Sequence, residues 1–183
     1  MTPIQFILNR QSCAALSAPA PNDEQLSAIL AAAMTSPDHA GLAPYHFHVV
    51  TGSGLDKLTQ VYQKAVKANT NNESKIAKAS KMAYRAPMTI VVSTKFQEHA
   101  KVPVQEQLIT AGCATLAMQM ACIALGYGAM WRSGDLAYSD IVKQELGIKL
   151  DDEIVGFLYI GTATKACAQK SRRPAESHTT YWR

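Results

Sequence analysis

Short groups of residues in this chain have types and spacings that could do chemistry. Arg10-Gln11-Ser12 sets a guanidinium and a hydroxyl two positions apart, so both can turn toward one phosphate. The competing reading is a pair of solvated surface groups. Ser36-Pro37-Asp38-His39 falls between a helical pattern and a strand pattern, and a loop held at both ends is a usual place for binding residues. His39 is of a residue type that can transfer protons, and its competing reading is a lone surface histidine. Asp38, its direct neighbour, reads as a turn residue and not as an acid facing it across a substrate. Trp131-Arg132-Ser133-Gly134 joins a ring, a cation, a hydroxyl and a flexible turn, which suits a flat heterocycle with an anionic edge. Its alternative is a core aromatic followed by a surface arginine.

Other chemistries are weaker. His46 and His48 share one face of a strand, but no third ligand has a recognisable spacing, so no metal site is expected. Cys13, Cys113, Cys122 and Cys167 form no Cys-x-x-Cys pair; neither zinc nor a disulfide framework is suggested, and reduced thiols are expected. Cys113 and Cys122 sit in an apolar helical stretch where thiols are inert. No dinucleotide-binding glycine motif, Walker loop, nucleophile elbow or paired carboxylates occur.

The elements that must position these groups are legible in outline. Thr2-Pro3 with Gln5, and Asn22 with Gln25, are capping boxes that open helices through about Leu8 and through Met34, the latter stopped by Ser36-Pro37. Tyr45 to Val50, Met88 to Thr94, Tyr127 to Arg132 and Ile154 to Ile160 read as strands. Leu55 to Val66 and Tyr138 to Leu146 read as amphipathic helices, with a shorter helical piece before Ala86-Pro87. Residues 162–183 show no periodicity, and their Lys165, Lys170, Arg172 and Arg173 suggest a solvated, irregular arm. The fold class that results is α+β, a single domain over 1–183 with a sheet of about four strands flanked by helices.

Composition bounds the partners. With 48% hydrophobic and 17% charged residues over 183 positions, the chain can bury its own core, and disordered or coiled-coil classes are excluded. A net charge of +4 from 18 Lys plus Arg against 14 Asp plus Glu is too small to imply nucleic acid. Met1 to Asn9 resembles no secretory signal, so a cytoplasmic location is expected. Gln107 to Trp131 carries no charge, yet Thr110, Gly112, Thr115 and Gln119 dilute its aliphatics. The expectation is a helix buried on every side, or a dimer core, and not a membrane span.

Taken in order, Arg10-x-Ser12, Ser36-Pro37-Asp38-His39 through Ala43-Pro44-Tyr45-His46-Phe47, Trp131-Arg132-Ser133-Gly134 and Ile154 to Gly161 resemble the nitroreductase superfamily, in its short, minimal form. The resemblance runs from Arg10 to Gly161, with only the carboxyl-terminal arm matching loosely. It implies a nitroreductase-like fold with a central, mostly antiparallel sheet, in an intertwined α+β homodimer with two FMN molecules at the subunit interface. It also implies NADH or NADPH as electron donor, with hydride passing to FMN in a ping-pong cycle and then to a small electron-poor acceptor such as a nitroaromatic or quinone. Carried over by position, Arg10, Gln11 and Ser12 hold the phosphate and ribityl end, joined by Trp131, Arg132 and Ser133. Thr35 and His39 reach the flavin from the partner chain, His39 as pocket wall or proton donor. A nicotinamide-nucleotide contact is implied at Ala121, Cys122, Ile123, Ala124, Leu125 and Gly126, although a helix C-terminus presents carbonyls that repel phosphate. The chain departs from the family pattern at Gln11, at Ala43 and Tyr45, and at Cys13-Ala14-Ala15-Leu16, which lacks a basic residue. Fewer cations there imply weaker phosphate affinity and a shifted flavin potential. The alternative is a flavin-binding dimer without catalytic duty.

Overall fold

Both capping boxes form. In the computed structural model, which describes residues 1–167 and 170–183, α1 (Pro3–Leu8) opens with the Thr2 hydroxyl accepting from the Gln5 N–H while the Gln5 side chain accepts from the Thr2 N–H. Asn22 and Gln25 repeat the exchange at the start of α2 (Asp23–Ala33). Such a cap stabilises a helix by about 1 kcal/mol. The remaining helices are α3 (Gly54–Asn69), α4 (Glu73–Ala79), α5 (Val104–Ala124) and α6 (Asp140–Glu145). Gly147 follows α6 at φ 68°, and the Ile148 N–H reaches back to the Lys143 carbonyl, a left-handed termination that glycine makes cheap.

The strands are β1 (Leu16–Ser17), β2 (Tyr45–Thr51), β3 (Met88–Thr94), β4 (Gly128–Arg132) and β5 (Ile154–Ala163). β5 pairs antiparallel with β1, β3 and β4, and β3 pairs antiparallel with β2. The sheet therefore has five strands and not four. The extra strand, β1, has two residues, too few to leave a periodic pattern. It exists because β5 runs on through Ala163, so the arm expected to begin at Thr162 starts later. Beyond it a 3-10 turn spans Ala175–His178. Ala168 and Gln169 of that arm lie outside the described residues.

All seven residues of β3 are buried, as a run of uncharged, largely β-branched residues predicts. Its alternating side chains serve two cores. Val91, with Phe157 and Tyr159 of β5, packs against Leu58, Tyr62 and Ala65 of α3 and Val142 of α6. Ile90 and Val92, with Leu158 and Ile160, pack against Ile29 and Ala33 of α2 and Ala114, Met118 and Cys122 of α5.

Helix α5 departs from the first of its two expected roles. By length and composition it could cross a membrane, yet it lies against the sheet with Gln107 and Gln119 buried. Gln107 donates to the Gln97 and Val102 carbonyls and Gln119 to the Ala129 carbonyl. It is not buried on every side: Leu108, Ile109 and Leu116 are 40%, 65% and 44% exposed. Only one side of the helix has the sheet and α2 to pack against.

The cysteines also depart from expectation. Cys13 and Cys167 form a disulfide with their Cα atoms 5.2 Å apart across 154 positions of sequence. No local spacing signals it; the sheet creates it. The Cys13 N–H bonds the Ala129 carbonyl, the Thr164 N–H bonds the Ala15 carbonyl, and Leu16 pairs with Ala163. Cys113 and Cys122 remain free thiols, and burial pushes the Cys122 thiol up to about 12.

Candidate functional site

The first candidate group lies along β4. The bond from the Cys13 N–H to the Ala129 carbonyl, 2.9 Å, lays the segment after α1 beside this strand. Arg10 Nη1 stands 3.4 Å from the Ser12 hydroxyl, so guanidinium and hydroxyl do converge. From the carboxyl-terminal arm, Arg172 donates to the Arg10 carbonyl at 2.6 Å. That contact takes Arg172 out of the purely solvated role its sequence suggests.

Trp131 and Arg132 point to opposite faces of the sheet. The Trp131 indole N–H donates to the Val155 carbonyl at 3.2 Å, and its ring packs with the α2 and α5 core. A Cβ at Gly156 would collide with that indole and stand 2.7 Å from the Arg132 carbonyl. Gly156 is thus required for the ring to seat, and the core-aromatic reading holds for the Trp131 side chain. Arg132 instead lines a cleft of about 630 Å³ between the end of α3, α4 and the following turn. Ser133 and Gly134 line it too, with Lys75, Lys78 and Arg85. Gly134, at φ 101°, turns the chain into the 3-10 segment Asp135–Tyr138. Tyr159 underlies the Arg85 guanidinium, 6.0 Å from ring centroid to Cζ; burial raises the Tyr159 phenol pKa, while Tyr62, Arg85 and Arg132 oppose the rise.

The second group sits on the loop between α2 and β2, tied down by the Thr110 hydroxyl of α5, which donates to the Pro37 carbonyl at 3.0 Å. The Asp38 carboxylate accepts from the Ala43 N–H at 2.6 Å, and Ala40 and Ala43 adopt positive φ of 64° and 46°. Asp38 is a turn-forming residue, as its type suggests. Thr35 donates to the Ala32 carbonyl and is exposed. His39 Nδ1 lies 2.8 Å from the Glu106 carboxylate of α5, a partner 67 positions away that no sequence pattern pointed to. Tyr45, where this loop enters β2, has its phenol pKa raised by burial and then by Asp38.

The other candidates separate from these. Ala121 to Gly126 form the end of α5, where the Leu125 N–H bonds the Ala121 carbonyl and the Tyr127 N–H bonds the Cys122 carbonyl. Cys122 is inside the core and the last turn carries no basic residue. That end precedes β4, whereas Arg132 closes it, on the order of 13 Å away by strand rise. The His46 and His48 rings meet edge to face at 4.7 Å, and burial and His46 lower the His48 pKa. No group of three metal-ligating side chains occurs among the described residues.

The bond from Cys13 to Ala129 ties the segment that follows Arg10, Gln11 and Ser12 to the start of β4, whose far end carries Arg132 and leads into Ser133 in the α3–α4 cleft; Thr35 and His39 lie on a different element. Sequence reasoning missed Glu106, Lys75, Lys78 and Arg85. The lysines look like an ordinary solvated helix face until tertiary structure sets them opposite Arg132.

This arrangement has relatives. The nitroreductase family pattern matches residues 7–162, and the chain belongs to the nitroreductase family. It is 43% identical over 162 residues, 88% of each chain, to the Escherichia coli K12 protein named "Putative NAD(P)H nitroreductase YdjA". A Haemophilus influenzae protein named "Putative NAD(P)H nitroreductase" is 38% identical over 173 residues, 94% of each chain. Among solved structures, a nitroreductase-like family protein from Bacillus cereus superposes with a TM-score of 0.86 at 23% identity, over 100% of this chain and 96% of that one. A Bacteroides fragilis nitroreductase with bound FMN superposes with a TM-score of 0.75 at 19% identity, over 100% of both. The α+β, antiparallel fold is that of these proteins.

Proposed function

We propose that two copies of this chain form a homodimer that binds FMN at the subunit interface and uses NAD(P)H to reduce electron-poor acceptors such as nitroaromatics or quinones. The observation that carries the reading is a pair of cation–hydroxyl groups, Arg10 with Ser12 on the segment bonded to the start of β4 and Arg132 with Ser133 in the cleft at its end. Arg10, Ser12, Arg132 and Ser133 offer guanidinium and hydroxyl groups, and neither arginine is in an ion pair among the described residues. Such a set fits a phosphate monoester at one end and the carbonyl-rich edge of a heterocycle at the other. The names of the Escherichia coli and Haemophilus influenzae relatives, and the FMN in the Bacteroides fragilis structure, support it.

Bound FMN would supply the redox centre, taking hydride from the nicotinamide and passing electrons to the acceptor. The chain's own residues bind and orient. Arg10, Gln11 and Ser12 hold the phosphate and ribityl end. Arg132 sets a fixed positive charge at the pyrimidine edge, with Ser133 beside it, and Trp131 acts through its backbone and as a rigid wall. The partner subunit's Thr35 and His39 complete the pocket. Glu106 holds His39 at Nδ1, which leaves Nε2 to hand a proton to the acceptor. No side chain serves as nucleophile. Leu108, Ile109 and Leu116 of α5 form the dimer core, each gaining roughly 0.6–2 kcal/mol when its exposed share is covered.

Anaerobic addition of NADH or NADPH to the purified yellow dimer tests the reading, with prompt bleaching expected. A flavin spectrum that persists would favour the non-catalytic binder, for which the missing cation after Ser12 speaks. A colourless monomer after incubation with excess FMN would remove both. Arg132→Ala is expected to lower FMN affinity or reduction rate about tenfold or more, the worth of one charged hydrogen bond.

A further inference from the structure

The cleft that Arg132 lines holds more positive charge than a flavin edge requires. Lys75 and Lys78 lie one turn apart on α4 and so share a face, and Arg85 stands beyond them; all three line the cleft with Arg132. Asp135 is its one lining carboxylate, and none of the four cations is in an ion pair among the described residues. Like charges gathered in a concave site repel one another and focus a positive field outward, so an anion entering there is stabilised. Val66 and Met82 supply apolar wall beside the cations, which suits an aromatic body with an anionic tail. The end of α5 offers the opposite, carbonyls with no basic residue.

Resting on the oxidoreductase reading above, we propose that Lys75 and Lys78 form an anion subsite that selects reactants by a negatively charged tail, a nucleotide phosphate on the donor or a carboxylate on the acceptor. In a ping-pong cycle the two reactants occupy one site in turn, so one subsite can serve either.

The test uses the FMN-loaded protein and its Lys75→Glu/Lys78→Glu variant. One arm compares NADPH with 1-benzyl-1,4-dihydronicotinamide, a donor without phosphate; the other compares 4-nitrobenzoate with nitrobenzene. Expected is a KM about tenfold or more higher for the charged member of at least one pair, with a flattened salt dependence and FMN content unchanged. The arm that responds identifies the source of the anion. Equal changes within each pair, or none, would overturn the proposal, as would loss of FMN, which would assign the cleft to the cofactor. A calorimetric titration with adenosine 2′,5′-bisphosphate reads the subsite without turnover. If wild-type protein is reduced by no donor but binds the bisphosphate through Lys75 and Lys78, the oxidoreductase reading fails and the subsite stands. If neither occurs, both fail.

Discussion

On one face of the sheet, α3 lays Leu58, Tyr62 and Ala65 into the core and turns Lys57, Gln60, Lys64 and Lys67 to solvent. On the other face, α5 buries Ala114, Met118 and Cys122 but leaves Leu108, Ile109 and Leu116 uncovered. Both helices are held by the same sheet, so their inner faces need equal apolarity. The difference lies in the outer faces. An amphipathic helix has a finished surface, whereas an apolar outer face asks for a second layer that the single chain does not contain. The loop carrying Thr35 and His39 is tied to the same helix through Thr110 and Glu106.

The largest expected effect breaks this contrast at α5. Ile109→Glu puts a charge on the uncovered face and should raise the dissociation constant of the proposed dimer about a hundredfold or more, seen by sedimentation velocity, with flavin absorbance lost in parallel. Lys64→Glu on α3 should leave association unchanged. Of comparable size, Leu58→Ala should cost about 2–5 kcal/mol in chemical denaturation while the native protein keeps its association state, because that core closes within one chain. Removing the α2 cap with Asn22→Ala should cost about 1 kcal/mol by the same measurement.

The smallest effect concerns pH. Burial and His46 hold the folded pKa of His48 below the ordinary value of 6.5. Above 6.5 the histidine is neutral in both states and its contribution is constant. As pH falls below 6.5 the unfolded chain takes up the proton first, so stability declines until the lowered folded value is passed. His48→Gln should flatten that part of the stability profile, measured by denaturation at a series of pH values.

Sequence patterns located most of the elements because caps, periodicity and β-branched runs are local. The Asn22 box, the β3 run and the Gly147 termination each follow from residues within a few positions. What stayed hidden is nonlocal. β1 is a strand only because β5 extends to meet it, and Cys13 finds Cys167 only once both flank that pairing. Glu106 reaches His39 across a loop fold. Candidate site residues could be named from motifs at Arg10 to Ser12, Ser36 to His39 and Trp131 to Ser133, and Thr35 only from the family resemblance. The opposite facing of Trp131 and Arg132 required the strand register, and the lysines of α4 required the packing of α4 toward the end of β4.

The link between Cys13 and Cys167 makes most of the polypeptide a closed loop. A protease that nicks any turn inside it would yield one band on a gel run without thiol and separate fragments once thiol is added. Reagents that strip sulfur bridges would remove the one covalent tie between the end that carries α1 and the end that bears Arg172, so limited digestion with and without reductant should give different maps of the same molecule.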